Sequence, residues 1–408
     1  MASPGPILIA SYHFTPAPAT RGLQVAKLLK YALRAGATIE IVTAPNGAPE
    51  GTSHDPGVPW FPPDERLTVH RVASRVPRAF DRASSLLTSR PLRSWGWAAQ
   101  RCCLDLLASR GAQAYACLMT CAMPIDSHAP GLAAKRVHPR LPWLAHFSDP
   151  YANNPLYPPR GFWQAHARRR FENRVVGAAD RLLFVGDGLR EHVMGLHPVA
   201  RDKARTLFHV FDPELYGDAT PTDEDVLTVT YLGGLAKRRN IEPLLRVLEH
   251  LKATGAPLER LRFRMVGDEL AESSAALNAI VPGAAAFVGR VSYLESLRLM
   301  READLLLLID ANVGASPFYP SKLADYFGAG RPVLAITPPY SYSTVLLREA
   351  GMPCFGYEEL EACADWLARQ VRGETTLPSV RKEALARFEA PAVARRFLDL
   401  VAEVAGEQ

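Results

Sequence analysis

The sequence predicts an α/β protein made of two consecutive doubly wound domains, each with a parallel sheet. Three observations carry that expectation. Short apolar runs alternate with amphipathic stretches almost from end to end, the rhythm restarts after a polar segment near the midpoint, and the charge balance changes sign there. Strands that are apolar on both faces and separated by helices are those of a parallel sheet covered on both sides. At 408 residues the chain exceeds one ordinary core and suits two domains of roughly 200 residues each.

In the first half, PILIAS (6–11) reads as a strand, followed by a helix around 22–35 and a second strand, TIEIVTA (38–44). Further strands are expected at 115–120, 142–147 and 181–185. Segment 45–100 breaks the rhythm with Pro45, Pro49, Pro56, Pro59, Pro62 and Pro63, and reads as a long irregular insertion. Its Arg90, Arg93, Trp95 and Trp97 either touch an acceptor or a membrane interface, or simply cover apolar surface. Residues 212–226, DPELYGDATPTDEDV, read as a linker between a first domain over 1–211 and a second over 227–385. The second domain has strands at 227–234, 262–267, 285–289, 304–309 and 331–336, with a helix near 241–254. Segment 386–408 is expected as a C-terminal helix packing back on the first domain.

Hydrophobic residues make up 48% and charged residues 22%, the composition of a folded globular chain. No apolar run approaches the ~20 residues of a membrane span, and Ile7–Ala10 lacks the basic flank of a signal peptide. The six cysteines show no CxxC spacing, which reads as a reducing, cytoplasmic setting. The net charge of +5 hides an asymmetry: residues 1–205 carry 26 Lys and Arg against 14 Asp and Glu, and the remainder 21 against 28. The basic half either faces an anionic partner, such as the inner face of a membrane, or is a solvated surface. No nucleic-acid recognition module is visible, so no nucleic-acid partner is expected.

Two segments have phosphate-binding chemistry. In YPSKLADYFGAGRPVLAI (319–336), Pro320 and Ser321 open a helix whose free N–H groups and positive dipole end suit a phosphate. Lys322 adds a full charge in that first turn, and Asp325 lies one turn on, within reach of a ribose diol. Alternatively, Lys322 and Asp325 are a local surface pair. In GGLAKRRNIEPLL (233–245), Gly234 and its neighbour let backbone approach a ligand, and Arg238 and Arg239 match phosphate geometry. This is neither a GxGxxG fingerprint nor a P-loop. No His/Cys cluster has metal-ligand spacing, so no metal site is expected.

In order along the chain, ILIASYHFTPAPATRGLQVAKLLKYALRAGATIEIVTA (7–44), MPIDSHAPGLAAKRVHPRLPWLAHFSDPY (123–151), YLGGLAKRRN, FVGRV and the 319–336 run resemble the retaining glycosyltransferases of family 4. These are bacterial nucleotide-sugar-dependent enzymes of the GT-B fold, with two Rossmann-like domains facing a central cleft. The resemblance covers nearly the whole chain. It implies that the first domain handles the acceptor and the second holds a nucleoside diphosphate sugar, used as a substrate with no further cofactor. It implies donor contacts at Gly22, Gly234, Arg238, Arg239, Arg290, Ser321, Lys322 and Asp325, and catalytic positions at His128 and Asp149. His128 would hydrogen-bond the transferred sugar, and Asp149 would position the acceptor hydroxyl or act as a base. Otherwise His128 is structural and Asp149 caps a turn.

The family's paired glutamates are eight positions apart; here Pro317 and Asp325 stand in their places, and Leu235 replaces an Arg often found after the strand glycine. The expected activity is metal-independent transfer of a hexose-type sugar to a hydroxyl on a glycan, lipid-linked or small-molecule acceptor, with retention. Such transfer serves cell-surface polysaccharide, glycoconjugate or natural-product synthesis. A nucleotide-sugar epimerase or hydrolase on the same fold, and a non-catalytic nucleotide-sugar-binding relative, are the alternatives.

Overall fold

The computed structural model describes residues 5–17, 19–45, 60–217, 225–235, 239–268 and 270–406. The chain divides into two compact units: residues 1–210 with 390–408, and residues 211–389.

The first unit runs β1 (Ile7–Ser11), α1 (Thr20–Arg34), β2 (Ile39–Thr43), β3 (Leu67–Arg71), α2 (Arg78–Thr88), α3 (Arg93–Arg110), β4 (Cys117–Cys121), α4 (Ala129–Val137), β5 (Trp143–Phe147), α5 (Phe162–Ala178), β6 (Arg181–Phe184), α6 (Asp187–Met194) and β7 (Ala204–Thr206). The strands form one parallel sheet in the order β3-β2-β1-β4-β5-β6-β7. Every residue of β1, β2, β4 and β5 is buried, as their continuous apolar character requires.

The second unit runs β8 (Leu227–Leu232), α7 (Glu242–Ala253), β9 (Leu261–Val266), α8 (Ala271–Ile280), β10 (Ala285–Gly289), α9 (Tyr293–Arg301), β11 (Leu305–Ile309), β12 (Ala315–Ser316), α10 (Ser321–Ala329), β13 (Val333–Thr337), β14 (Tyr340–Ser341), α11 (Tyr342–Glu349), β15 (Cys354–Gly356), α12 (Leu360–Val371) and α13 (Lys382–Leu385). Its parallel sheet has the order β10-β9-β8-β11-β13-β15. The last helix, α14 (Ala390–Gly406), belongs to the first unit and packs on α1. Its buried stripe of Val393, Phe397, Leu400, Val401 and Val404 has helical spacing, each side chain contributing about 1.5–3 kcal/mol by burial.

Both sheets reverse strand order once, between β1 and β4 and between β8 and β11. Crossovers leave in opposite directions at such a point, and the carboxyl ends of the two strands open a crevice. In the second unit Tyr326 of α10 is wedged there. Its hydroxyl accepts the Leu232 N–H at 3.2 Å and donates to the Leu307 carbonyl at 3.2 Å, tying β8 to β11.

Two expectations change. Segment 45–100 is not one irregular insertion: β3, α2 and the start of α3 lie in it, while residues 46–59, with Pro49, Pro56 and Pro59, lie outside the described residues. The prolines hid a short edge strand and a helix that starts after Pro77. Trp95 is buried edge-on against Tyr12, and Arg90 pairs with buried Asp126 at 2.7 Å, so neither faces an acceptor. Of the 212–226 linker, residues 212–217 belong to the second unit, because Tyr216 packs where a Cβ on Gly328 would stand and donates to the Asp325 carbonyl. Residues 218–224 lie outside the described residues. Among the described residues no helix is long and apolar enough to cross a membrane.

Replacing Tyr326 with Phe strands the buried Leu232 N–H, and unfolding experiments should show a loss of about 1–3 kcal/mol. A neutral Tyr326→Phe variant would mean that the hydroxyl does not tie the strands.

Candidate active site

The second unit gathers positive charge at its switch point. Tyr326 and Lys322 are four residues apart and share one face of α10, so pinning Tyr326 between the strands brings Lys322 to the end of β8. The Lys322 ammonium donates to the Leu232 carbonyl at 3.0 Å and to the Tyr231 hydroxyl at 3.3 Å, and lies 4.3 Å from the centre of the Tyr231 ring. Burial, then the Arg239 charge, push its pKa well below the usual lysine value, against a smaller pull from Asp310. Among the described residues no carboxylate lies within ion-pair distance of Lys322. Gly233, at φ 108°, turns the chain over this amine, a conformation for which glycine is suited, and Gly234 is held by the Tyr231 hydroxyl at 3.1 Å.

Arg239 stands 3.9 Å from the Asp310 carboxylate, and its buried Nε has no hydrogen-bond partner. Asp310 follows β11 and is spent on structure: it accepts the Ala311 N–H and the hydroxyls of Ser316 and Ser341, which fixes the loop leading to α10. Ser321 opens α10 after Pro320. Lys322, Arg239, Gly233, Gly234 and Ser321 therefore form one constellation, whereas Arg238 lies outside the described residues.

Asp325 is buried and accepts from the hydroxyls of Tyr293 at 2.8 Å and Tyr216 at 3.4 Å through one oxygen, rather than pairing with Lys322. Arg290 is engaged elsewhere: its guanidinium chelates Asp268 on the surface, with Nε 2.8 and 3.1 Å from the two oxygens. A Lys322–Asp325 surface pair is thus replaced by two separate arrangements, Asp325 buried and Lys322 half-buried, and Arg290 is a surface ion-pair member.

In the first unit, the carboxyl ends of β1, β4 and β5 bring together histidines that share one buried arginine. Arg21, in the first turn of α1, lies 3.0 Å from His146 Nδ1 and hydrogen-bonds Cys121. Burial lowers its pKa, and among the described residues no carboxylate ion-pairs with it. Burial first and Arg21 second hold His13 down to about 4, His128 to about 3, and His146 well below the usual imidazole range. The cavity beneath Arg21, lined also by Gln24, Cys121, His146 and His209, is about 10 Å³, too small for anything larger than water.

His128 is fully buried and neutral. The Trp143 indole N–H, which can only donate, bonds Thr120 Oγ1 at 2.8 Å, and Thr120 Oγ1 lies 2.7 Å from His128 Nδ1. Thr120 Oγ1 thus links the Trp143 N–H to the histidine ring and holds the imidazole through Nδ1. Nε2 has no partner among the described residues. Asp149 follows β5, is half-buried, and accepts from Ser148 Oγ at 3.0 Å, itself bonded by the Met123 N–H. Desolvation pushes its pKa up to about 6, against the smaller effects of Ser148 and Arg21. Gly22 departs from expectation: it lies inside α1, where a Cβ would stand 3.2 Å from Phe14 N, so it lets the helix close on the β1–α1 loop instead of presenting a phosphate-binding loop.

Sequence reasoning missed Arg21, Tyr326 and Asp310. Arg21 is adjacent to the motif glycine, and Asp310 directly follows the five-residue apolar strand β11; both positions are legible once strand ends are located. Tyr326 carries no such signal, since an aromatic in an amphipathic helix reads as core.

No family model matches the sequence, and no curated protein does. Solved structures do match in fold. HepE of Anabaena, solved in complex with UDP, superposes with a TM-score of 0.64 at 14% identity, over 98% of this chain and 100% of that one. Sucrose-phosphate synthase of Thermosynechococcus elongatus gives 0.67 at 16% identity, over 99% and 100%. A trehalose 6-phosphate synthase of Burkholderia multivorans gives 0.66 at 11%, also over 99% and 100%. With its two parallel Rossmann-like sheets, the chain has the GT-B fold.

The raised Asp149 pKa has a consequence for stability. A folded-state pKa above the unfolded value favours the native state while the group is protonated, and that advantage is lost as pH rises from about 4 to about 6. Denaturant unfolding across this window should therefore show the native protein losing stability relative to Asp149→Asn. Parallel profiles would mean that Asp149 titrates normally.

Proposed function

We propose that this protein is a glycosyltransferase that moves a sugar from a nucleoside diphosphate sugar to an acceptor hydroxyl, with retention at the anomeric carbon. The observation that carries the reading is the Lys322 ammonium, desolvated at the switch point beside Arg239 and the start of α10, with no described carboxylate to pair with. A half-buried cation without an ion-paired carboxylate is costly to hold, and a diphosphate at the crevice offsets that cost. The same groups would stabilise the charge that develops on the leaving diphosphate, which is electrostatic catalysis needing no metal ion. Gly233 and Gly234 would let it approach the backbone, and Asp325, oriented by Tyr293 and Tyr216, would receive the ribose diol.

On the first unit, Nε2 of neutral His128 is a fixed polar atom for a sugar hydroxyl, and leaving such a buried group unpaired costs about 1–3 kcal/mol. Asp149, with a pKa near 6, is poised to accept the acceptor proton around neutral pH. Retention is supported by the family resemblance of the ordered motifs. Similarity in fold to Anabaena HepE, which was solved with UDP, supports a uridine nucleotide as the first donor base to test.

One observation favours a second reading, binding without transfer. Pro317 stands where the family has its first glutamate, and the acid nearest in sequence, Asp310, is consumed by Ser316, Ser341 and the Ala311 N–H. Donor turnover separates the two readings.

Assayed with UDP-, GDP-, ADP- and dTDP-sugars and a panel of hydroxyl acceptors, the protein should release nucleoside diphosphate only when an acceptor is present. Chelation with EDTA should leave the rate unchanged. Lys322→Ala should weaken diphosphate binding by roughly tenfold or more, the scale of one lost charge-assisted contact. Release without acceptor would indicate a hydrolase; binding without release at any acceptor would indicate the non-catalytic reading.

A further inference from the structure

The first unit presents an apolar tip at the end of a helix pair that carries exposed arginines. α2 and α5 pack on each other, and Gln164 near the start of α5 lies 3.3 Å from the carbonyls of both Ser85 and Leu86 at the end of α2. That docking brings Leu86 and Leu87 to the same end of the helix pair as Phe162 and Trp163. The four side chains are 70%, 68%, 73% and 78% exposed, among the most exposed large apolar residues described. Folding leaves them in water although Gln164, one residue away, is buried. Scattered exposed apolar residues need no explanation, but four such side chains at one helix-pair end do.

The exposed charges described on and beside these two helices are of one sign. Arg82, Arg169, Arg170 and Arg174 are exposed on the two helices, and Arg160 is exposed just before α5. The only carboxylates on these helices are taken. Asp81 bonds the Ser94 N–H and hydroxyl, and buried Glu172 accepts from the Tyr151 and Ala152 N–H groups and pairs with His197. Arg169, Arg170 and Arg174 line a shallow groove of about 350 Å³ with His166 and Asn173. Burial and then the charges of Arg136, Arg90 and Arg170 lower the Arg174 pKa, as expected where guanidinium groups lie close together.

We propose that the α2–α5 end is a docking surface for an anionic lipid bilayer, with Leu86, Leu87, Phe162 and Trp163 entering the interface and the arginines meeting phosphate headgroups. The combination selects this occupant. Trp and Phe favour the headgroup boundary, and arginine stems cover apolar surface while their heads reach phosphate. Each basic residue near an anionic surface adds to the binding, and the absence of free carboxylates on both helices removes the repulsion that would oppose it. This surface is separate from residues 89–101, where the sequence had suggested an interface. It lies outside the constellation proposed for catalysis and does not depend on that reading.

The test is flotation of the full chain with vesicles of neutral phosphatidylcholine, and with vesicles in which about a third of the lipid is anionic phosphatidylglycerol. The protein should float with the anionic vesicles and remain in solution with the neutral ones, and raising the salt concentration should weaken binding. Trp163→Ala and Arg170→Glu, both at exposed positions and expected to melt like the native protein, should each lower anionic-vesicle binding by roughly tenfold or more. The proposal is overturned by no flotation, by equal flotation with both vesicles, or by variants that float like the native chain. It is overturned equally if sedimentation shows a dimer that Trp163→Ala dissociates, since a second copy would then cover the tip.

Discussion

The hydroxyl of Tyr326 is the tie on which the second unit's chemistry depends. β8 and β11 pair as far as Tyr231 and Leu307, and at the end of that ladder this hydroxyl accepts from one strand and donates to the other. Because α10 is thereby fixed in rotation, Lys322 on the same face reaches the Leu232 carbonyl and Asp325, one residue before Tyr326, turns toward Tyr216 and Tyr293. The helix start, the lysine and the glycine turn then converge as a result of helix geometry alone.

Both units put unneutralised cations at the reversal of their sheets. Lys322 and Arg21 are each desolvated, each lack an ion-paired carboxylate among the described residues, and each depress the pKa of, or are depressed by, neighbouring cationic groups. Their surroundings differ. Lys322 borders an open glycine turn at a helix start, whereas Arg21 is enclosed by imidazoles kept neutral by burial and, second, by its charge, over a cavity of about 10 Å³. The first arrangement suits an incoming diphosphate. The second suits a rigid floor beneath His128 and Asp149, whose shifts come first from burial.

Much of this was legible in the sequence, for a physical reason. A buried parallel strand must be apolar on both faces, so β1, β4, β5, β8, β11 and β13 announce themselves within a residue or two of their bounds. Edge strands β3 and β15 are half-exposed and carry no such run, which is why they were not anticipated. Lys322 and Arg239 were recognisable because charge beside a strand end or helix start has few structural uses. The surroundings of Gly22 and Arg290 were not legible because they turn on tertiary partners: the Phe14 backbone against one, and the Asp268 carboxylate chelating the other. The aromatic tip at Phe162 and Trp163 had the same difficulty in reverse, since only the docking of α2 on α5 distinguishes it from core.

The central claim is that a nucleoside diphosphate binds in the second unit against the β8 turn and the start of α10. Amide hydrogen exchange of the full chain with and without saturating UDP measures this directly, since exchange slows where a ligand engages backbone or suppresses local opening. The account predicts added protection at residues 231–235 and 321–326, with the sheet core unchanged. Binding of UDP that protects neither segment, or protects only residues of the first unit, would contradict it.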